Sequence, residues 1–268
     1  MKQLNRIELF RQMSRMTAYA SGRHPGLAYY VYLPGNYGGP DQPERYRLLV
    51  LMHGIERSAE AYRDQFRQLA REHDLAVMAP LFPADSTDLT QMNDYDLARP
   101  RRPRYDLALL DLVGEMGERF PVDTRRFALF GFSAGGQFAH RFLYLHPERL
   151  SAVSIGAPSQ ATYPDESQAW PEGWGGTEAL FGRRPELKAF GGLKIQIVVG
   201  DQDLGPRPGP DGAQNRLERA RLLYQAYRRL GLEVRLDICP GLGHEGFNIL
   251  PWVRDFLGDC FSITPTIV

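Results

Sequence analysis

The sequence predicts an α/β fold in which a mostly parallel sheet carries helices on both faces. Segments of strand length alternate with segments of helix length along most of the chain, the pattern of parallel strands joined by helices. The run 194–200 is rich in β-branched residues, as is typical of a strand buried on both faces. With 268 residues and 43% apolar content, the chain can bury one large core. We therefore predict a single domain over residues 1–268.

The first half of the chain alternates in this way. A short apolar segment predicts a strand at 27–33, and an apolar run predicts another at 47–52. A helix is predicted at 59–72 and a strand at 75–79. A proline-rich loop then precedes a predicted helix at 105–120. This half therefore contributes three strands and two helices.

The second half continues the alternation and breaks it once. Its predicted strands are 127–130, 151–156, 194–200 and 234–240, and its predicted helices are 136–143, 215–230 and 247–257. The break is 157–190, a long connection rich in proline, glycine and aromatic residues. Long connections inside a compact domain are usually lids or binding loops. We therefore predict a lid-like insertion at 157–190, with a merely structural surface excursion as the alternative.

The segment 131–135 reads Gly-Phe-Ser-Ala-Gly and lies between a predicted strand and a predicted helix. A chance turn is also possible in a chain with 27 glycines. The strand, turn and helix context nevertheless fits a nucleophile elbow, a tight turn that holds a serine at the carboxyl edge of a sheet. Glycines on either side make room for the crossing chain. Ser133 is thus a candidate nucleophile.

Three other predicted strands also end in chemically capable residues. One is followed by Asp201 and Asp203, a later one by a glycine-flanked His244, and an earlier one by His53 and Gly54. The carboxyl ends of parallel strands lie at one edge of a sheet, where α/β proteins place their ligands. We therefore expect these residues to gather around the candidate serine.

Taken together, these motifs resemble the α/β-hydrolase superfamily. The resemblance spans about residues 27 to 257 and is carried by His53-Gly54, Gly131-Phe-Ser-Ala-Gly-Gly136, Gly200-x-x-Asp203 and Gly243-His244. The runs 53–63 and 122–149 are similar to the esterase and polyhydroxyalkanoate-depolymerase-like branch of that superfamily.

The resemblance implies a catalytic triad of Ser133, Asp203 and His244, in the chain order that this architecture uses. The Gly-x-x-Asp spacing selects Asp203 over Asp201. The resemblance also implies an oxyanion hole made of two backbone N–H groups, those of Ile55 and Ala134. His53 is then expected to organise the oxyanion loop.

The resemblance implies that loops over the site set the substrate. We name Tyr95, Trp170 and Trp174 as candidate substrate-binding residues, because aromatic side chains commonly line ligand pockets. The predicted function is a serine hydrolase that cleaves small or medium carboxylic esters through an acyl-enzyme on Ser133. Its substrate would be a small molecule, and no cofactor is implied. The alternatives are a peptidase or thioesterase with the same triad, or a non-catalytic ligand-binding protein on the same fold.

Charge and composition exclude several other classes of function. Basic and acidic residues balance at 32 each, so nothing steers the chain toward nucleic acid or an anionic membrane. The arginine-rich stretch 99–104 is interpreted as a solvated loop, with an anion-binding patch as the alternative. The sequence has no phosphate-cradling or metal-binding motif, so we expect neither metal nor nucleotide chemistry.

The amino terminus has no continuous apolar stretch typical of a signal peptide, so a cytoplasmic location is expected. Without secretion, Cys239 and Cys260 are expected to be free thiols, although the sequence does not exclude a bridge between them. The oligomeric state is not indicated.

Overall fold

The computed structural model describes residues 18–39, 45–83, 94–99 and 104–262. The initial segment 1–17 and Arg101 and Arg102 of the arginine-rich stretch lie outside these ranges. The strands of the described ranges are β1 (Ala18–Ala20), β2 (Ala28–Tyr32), β3 (Tyr46–Met52), β4 (Leu75–Leu81), β5 (Val122–Phe132), β6 (Leu150–Gly156), β7 (Lys194–Gly200) and β8 (Val234–Cys239).

These strands form one sheet in the order β1-β2-β4-β3-β5-β6-β7-β8. Every pair from β4 to β8 along this order is parallel, whereas β1 and β2, and β2 and β4, pair in the antiparallel sense. The central strands β3 and β5 are buried over most of their length. The prediction of a mostly parallel sheet is confirmed.

The helices of the described ranges are α1 (Ala59–Gln65), α2 (Arg67–Glu72), α3 (Tyr105–Arg119), α4 (Ala134–Leu145), α5 (Thr177–Phe181), α6 (Arg216–Arg229) and α7 (Leu250–Ser262). The connection from β3 to β4 moves one way along the sheet, and the connection from β5 to β6 moves the other way. Because such crossovers are right-handed, α1 and α2 lie on the opposite face from α4. In the described part of the chain, no helix is both long and apolar enough to cross a bilayer.

The single helix predicted at 59–72 is interrupted at Phe66. This residue has φ −99° and ψ 4°, and its N–H bonds to the carbonyl of Arg63 three residues back. Its ring is fully buried against Phe130 of β5, at 5.8 Å between ring centroids. The helix is interrupted where the Phe66 ring is buried in the core. The predicted single helix is therefore two helices, α1 and α2.

Candidate active site

Ser133 lies in a tight turn between β5 and α4. Its φ of 57° and ψ of −115° place a residue with a side chain in a sparsely populated backbone region. The turn is fixed because the Ser133 N–H donates to the Gly156 carbonyl at 2.9 Å and the Ser133 carbonyl accepts from the Gln137 N–H at 3.0 Å. The strained turn presents the hydroxyl at the carboxyl edge of the sheet.

Two glycines of this turn are required by close backbone approach. A Cβ at Gly131 would overlap the carbonyl of Gly135, and a Cβ at Gly135 would lie 2.6 Å from the carbonyl oxygen of His53. Both obstacles are backbone atoms, which cannot move aside cheaply. The Gly-x-Ser-x-Gly spacing is therefore a steric requirement of this turn.

Ser133, His244 and Asp203 form one chain of hydrogen bonds. His244 Nε2 is 3.0 Å from Ser133 Oγ, and His244 Nδ1 is 2.7 Å from Asp203 Oδ2. A carboxylate only accepts, so Nδ1 carries the proton and Nε2 is free to accept from the serine hydroxyl. The His244 ring also lies against Phe132, at 4.6 Å between centroids. The structure thus brings together three residues that lie far apart in sequence.

The two aspartates that follow β7 have different partners. Asp203 is 2% exposed and faces His244. Asp201 points elsewhere, because its Oδ1 accepts the N–H of Gly241 at 2.7 Å and so fixes the turn after β8. The geometry therefore assigns the histidine contact to Asp203.

Arg216, the first residue of α6, is a site residue that the sequence analysis did not single out. Its Nη1 donates to Asp203 Oδ1 at 3.2 Å, and its Nε donates to Ser159 Oγ at 3.2 Å. The residue is only 7% exposed, and burial lowers its pKa despite the nearby carboxylate. No spacing rule connects Arg216 to Asp203, so only the fold brings the two together.

The predicted oxyanion groups lie beside the serine. Ile55 and Ala134 both line the cavity that contains Ser133. Among the described residues, neither backbone N–H has a hydrogen-bond acceptor. Unpaired N–H groups at the start of a helix and in a loop are suited to bind a negatively charged oxygen.

His53 is buried under the oxyanion loop. The Phe82 N–H donates to its Nε2 at 3.0 Å, so Nδ1 carries the proton and donates to the Gly54 carbonyl at 2.8 Å. Burial lowers the pKa of His53 to about 4. A neutral histidine therefore joins β3 to the end of β4 and holds the loop that carries Ile55.

The cavity at Ser133 has a volume of about 670 Å³, and charged and neutral polar side chains line about half of it. Its charged lining residues are Glu56, Asp96, Arg99, Arg207 and Arg216, and its neutral polar ones include Gln137, Ser159 and Gln160. No Phe, Tyr or Trp side chain is among the described residues that line it. Within the described ranges, His, Cys, Asp and Glu side chains form no group of three or more that could hold a metal ion.

The three aromatic residues predicted to bind substrate lie behind this cavity and are buried. Tyr95 donates its hydroxyl to the His53 carbonyl at 2.9 Å, and Trp170 donates its Nε1–H to the Leu97 carbonyl at 2.9 Å. Trp174 packs edge-on against Tyr144, at 5.4 Å between ring centroids. The structure therefore places these rings in the core, where they support the cavity without facing it.

The segment 157–190 accordingly has two parts. Its beginning, at Ser159 and Gln160, lines the cavity. Further along, its aromatic residues join the core: Trp170 packs against Phe181, and Trp174 against Tyr144 and Phe190. We call these five rings, Tyr144, Trp170, Trp174, Phe181 and Phe190, the aromatic cluster.

A buried ion pair joins the cavity rim to α4. Arg141 Nη1 lies 3.2 Å from Asp96 Oδ1 and donates to the Asp96 carbonyl at 3.0 Å. The Gln137 side chain donates to Asp96 Oδ2 at 2.5 Å, and the Gln160 N–H donates to the Gln137 side chain at 2.9 Å. The loop 94–99 is thus fastened to the helix that begins directly after Ser133.

Comparison with known proteins identifies the family. The model of the Esterase family, described as "Putative esterase", matches residues 26–230. The chain therefore belongs to the Esterase family. Its predicted resemblance to α/β-hydrolases of the esterase branch is confirmed. Carboxylic ester hydrolysis is the general class of activity that this membership supports.

Solved structures of this fold include two hydrolases. A poly(3-hydroxybutyrate) depolymerase from Bordetella parapertussis is 25% identical, with a TM-score of 0.69, covering 90% of this chain and 86% of that one. An S-formylglutathione hydrolase from Agrobacterium tumefaciens is 20% identical, with a TM-score of 0.66, covering 92% and 93%. Because the second structure is only 20% identical, its similarity shows the fold alone.

A curated relative matches over a shorter stretch. The "Putative carboxymethylenebutenolidase" of Yersinia pestis is 26% identical over 132 residues. That match covers 48% of this chain and 48% of the relative, so the chain spans about half the length of the curated relative it matches.

Proposed function

We propose that this protein is a serine hydrolase that cleaves small or medium carboxylic esters through an acyl-enzyme on Ser133, without a cofactor. The observation that carries the proposal is the continuous hydrogen-bond chain from Asp203 through His244 to Ser133, beside two unpaired backbone N–H groups. These are the parts that nucleophilic acyl transfer requires.

In the first half of the reaction, Ser133 Oγ attacks the ester carbonyl carbon while His244 Nε2 takes the hydroxyl proton. Asp203 stabilises the resulting imidazolium through Nδ1. The carbonyl oxygen becomes an oxyanion and receives the N–H groups of Ile55 and Ala134. His244 then donates its proton to the leaving alkoxide, the ester C–O bond breaks, and the acyl group stays on Ser133.

In the second half, a water molecule replaces the alcohol. His244 Nε2 takes one of its protons as the water oxygen attacks the acyl carbon, and the same two N–H groups hold the second oxyanion. Collapse of this intermediate breaks the bond to Ser133 Oγ, and the proton on His244 returns to the serine. The products are a carboxylic acid and the free enzyme.

Ester cleavage is preferred over the peptidase and thioesterase alternatives because family membership supports it. A peptidase that clamps a free amino terminus needs carboxylates aimed at the substrate. Of the two acidic side chains besides the triad that line the cavity among the described residues, Asp96 is neutralised by Arg141 and only Glu56 is left.

The experiment is a turnover panel of p-nitrophenyl esters from acetate to octanoate, beside aminoacyl p-nitroanilides and an acyl thioester. We expect the esters to have the highest kcat/KM. Ser133→Ala should lower it by about a thousandfold or more, because the nucleophile is removed. Ser159→Ala is the matched control, a second cavity serine whose loss costs only a hydrogen bond with Arg216 and should lower kcat/KM by less than about tenfold.

Labelling with a fluorophosphonate adds a second readout. It should modify Ser133 stoichiometrically and no other serine. Faster cleavage of anilides than of p-nitrophenyl butyrate would replace the esterase proposal with a peptidase. Labelling elsewhere would overturn the assignment of Ser133, and no turnover of any substrate would favour a non-catalytic binding protein.

A further inference from the structure

We propose that the ester bound in this cavity carries a carboxylate away from the scissile bond, and that Arg99, Arg207 and Arg216 recognise that carboxylate. This inference rests on the proposed ester hydrolysis and names the class of substrate for it. It is carried by the arrangement of charge around Ser133.

The acidic residues in and beside the cavity are mostly neutralised by the protein itself. Asp96 pairs with the buried Arg141 at 3.2 Å, and Asp203 pairs with Arg216 at 3.2 Å. Glu56 is the one remaining carboxylate among the described lining residues. Few acidic groups are therefore left to neutralise other positively charged side chains of the cavity.

Two lining guanidinium groups lack a carboxylate partner. Among the described residues, neither Arg99 nor Arg207 forms an ion pair or a side-chain hydrogen bond, although both line the cavity. The two positive charges of Arg99 and Arg207 exceed the single negative charge of Glu56 by one. That excess matches a single carboxylate better than a doubly charged phosphate.

Both arginines extend from anchored backbone. The Arg207 N–H donates to the Gln214 carbonyl at 2.8 Å, and its own carbonyl accepts from Arg219 Nη2 at 2.8 Å. The loop of Arg99 is held by the Asp96 contacts and by the bond from Trp170 to the Leu97 carbonyl. Anchored loops reduce the conformational entropy that binding must overcome.

Arg216 supplies a buried donor between the two loops. Its Nε and Nη1 are occupied by Ser159 and Asp203, whereas its Nη2 has no partner among the described residues. A guanidinium group that is 7% exposed and lines a cavity binds an anion more strongly than one in open water. The three arginines therefore offer one buried and two exposed contacts.

The position of Glu56 indicates how the substrate is oriented in the cavity. Glu56 follows the oxyanion residue Ile55 at the end of β3, whereas Arg207 and Arg216 follow β7 on the other side of Ser133 in the sheet order. An anionic group is repelled from the first side and attracted to the second. The substrate carboxylate is therefore expected over the loops after β6 and β7, to which the loop of Arg99 is joined through Asp96, Gln137 and Gln160.

The test compares esters that carry either a free carboxylate or its methyl ester at the same position. In the first pair the group lies on the acyl part: p-nitrophenyl hydrogen adipate carries a free carboxylate, and p-nitrophenyl methyl adipate carries its methyl ester. 4-Carboxyphenyl butyrate and its methyl ester do the same on the alcohol part. At low salt we expect kcat/KM of the anionic member to exceed that of the neutral member by about tenfold in at least one pair. The ratio should fall in about 0.5 M NaCl because salt screens exposed charges.

Variants assign this preference to residues. The double variant Arg99→Gln with Arg207→Gln should lower the anionic-to-neutral ratio by about 2- to 30-fold, the range for two exposed ion pairs. Arg221→Gln is the matched control, because Arg221 is an exposed arginine of α6 outside the cavity. It should leave the ratio unchanged.

Three outcomes would overturn the inference: a ratio of one or below for both pairs, a ratio insensitive to salt, or a folded double variant with the wild-type ratio. If the double variant does not fold, the salt dependence of the wild type still decides. Failure of the proposed function gives a different result, since neither member of either pair would then be hydrolysed.

Discussion

The cavity at Ser133 and the aromatic cluster share the segment 157–190, yet they are built from different residues. The cavity wall carries three arginines and no aromatic ring among the described residues, whereas the cluster consists of two groups of buried rings, Trp170 with Phe181 and Trp174 with Tyr144 and Phe190. Most of the aromatic residues that make this segment conspicuous in the sequence belong to the cluster: Trp170, Trp174, Phe181 and Phe190. A long connection rich in aromatic residues therefore interrupts the alternation of strands and helices. Its aromatic residues do not identify the part of the connection that faces a ligand.

The two regions are expected to respond differently to substitution. A change in the cavity should alter turnover, whereas a change in the cluster should alter the free energy of unfolding without altering the preference for ester chain length. The following predictions test that division.

Asp203 should give the largest effect on turnover. Asp203→Asn is expected to lower kcat about 10²- to 10⁴-fold, because an amide stabilises the imidazolium poorly and favours the wrong histidine tautomer. Asp201→Asn is the control, since its amide oxygen can still accept the Gly241 N–H. Steady-state kinetics of both variants on p-nitrophenyl butyrate checks this. A larger loss at Asp201 would contradict the geometry.

Asp203→Asn also removes the partner of the buried Arg216. A lower melting temperature is therefore expected beside the loss of turnover, because a buried charge is left uncompensated. Asp203 is thus the one tested cavity residue at which both readouts should change.

Trp170 tests the other side of the comparison. Trp170→Ala should lower the free energy of unfolding by about 3–5 kcal/mol, because a buried ring and its bond to Leu97 are lost. Trp174→Phe is the milder control, since the Trp174 Nε1–H is buried without a partner among the described residues. Urea unfolding measures the stability, and the p-nitrophenyl series measures chain-length preference. A changed preference with unchanged stability would restore the lid interpretation.

Two buried histidines, one under each region, should make stability depend on pH. His53 supports the oxyanion loop, whereas His140 of α4 accepts the Thr162 N–H at 2.9 Å and donates to the Gly136 carbonyl at 3.0 Å. Burial lowers their pKa values to about 4 and about 3, from 6.5. Below pH 6.5 the unfolded chain therefore binds protons that the folded protein does not, and stability falls as the pH decreases toward 4.

The expected loss is about 2–4 kcal/mol between about pH 7.5 and about pH 5. Urea unfolding at the two pH values measures it. His140→Gln should reduce the pH dependence by about one proton, provided that the variant folds. A free energy of unfolding that is constant over this range would contradict the assignment of both histidines as buried and neutral.

The smallest effect is expected at Asn215, whose side chain accepts the Glu218 N–H at 2.9 Å and caps α6. Asn215→Ala should lower the free energy of unfolding by about 1 kcal/mol. Asn215→Asp should be close to neutral, because aspartate caps equally well. α6 begins at Arg216, which lines the cavity. The ratio of kcat/KM for anionic and neutral esters, measured on Asn215→Ala, therefore also tests whether loss of the cap displaces Arg216.

Much of the fold could be predicted from hydrophobic pattern. The strand at 194–200 coincides with β7, and the helix at 215–230 matches α6 to within one residue at each end. β5 begins earlier than predicted, at Val122, because Val122 and Asp123 pair with Tyr46 and Arg47 of β3, and the pairing resumes at Phe127 after a register shift. Such pairing is a tertiary contact that the local pattern does not contain.

The candidate site was predictable only where a residue belongs to a short motif that follows a strand. Ser133, Asp203 and His244 satisfy that rule, and the structure brings them together. Arg216 and Ser159 do not, since one begins a helix and the other opens a long connection. Arg99 was visible only as part of an arginine-rich stretch, whose sequence does not tell which arginine faces the cavity.

The buried pair of Asp96 and Arg141 fixes one wall of the cavity at Ser133. Lifting the rim loop 94–99 would separate that pair, at a cost of about 3–5 kcal/mol. At equilibrium only about one molecule in 10² to 10⁴ would have this side open. The rim loop is therefore expected to stay closed against α4 in nearly all molecules at any moment, and to act as a fixed part of the cavity wall.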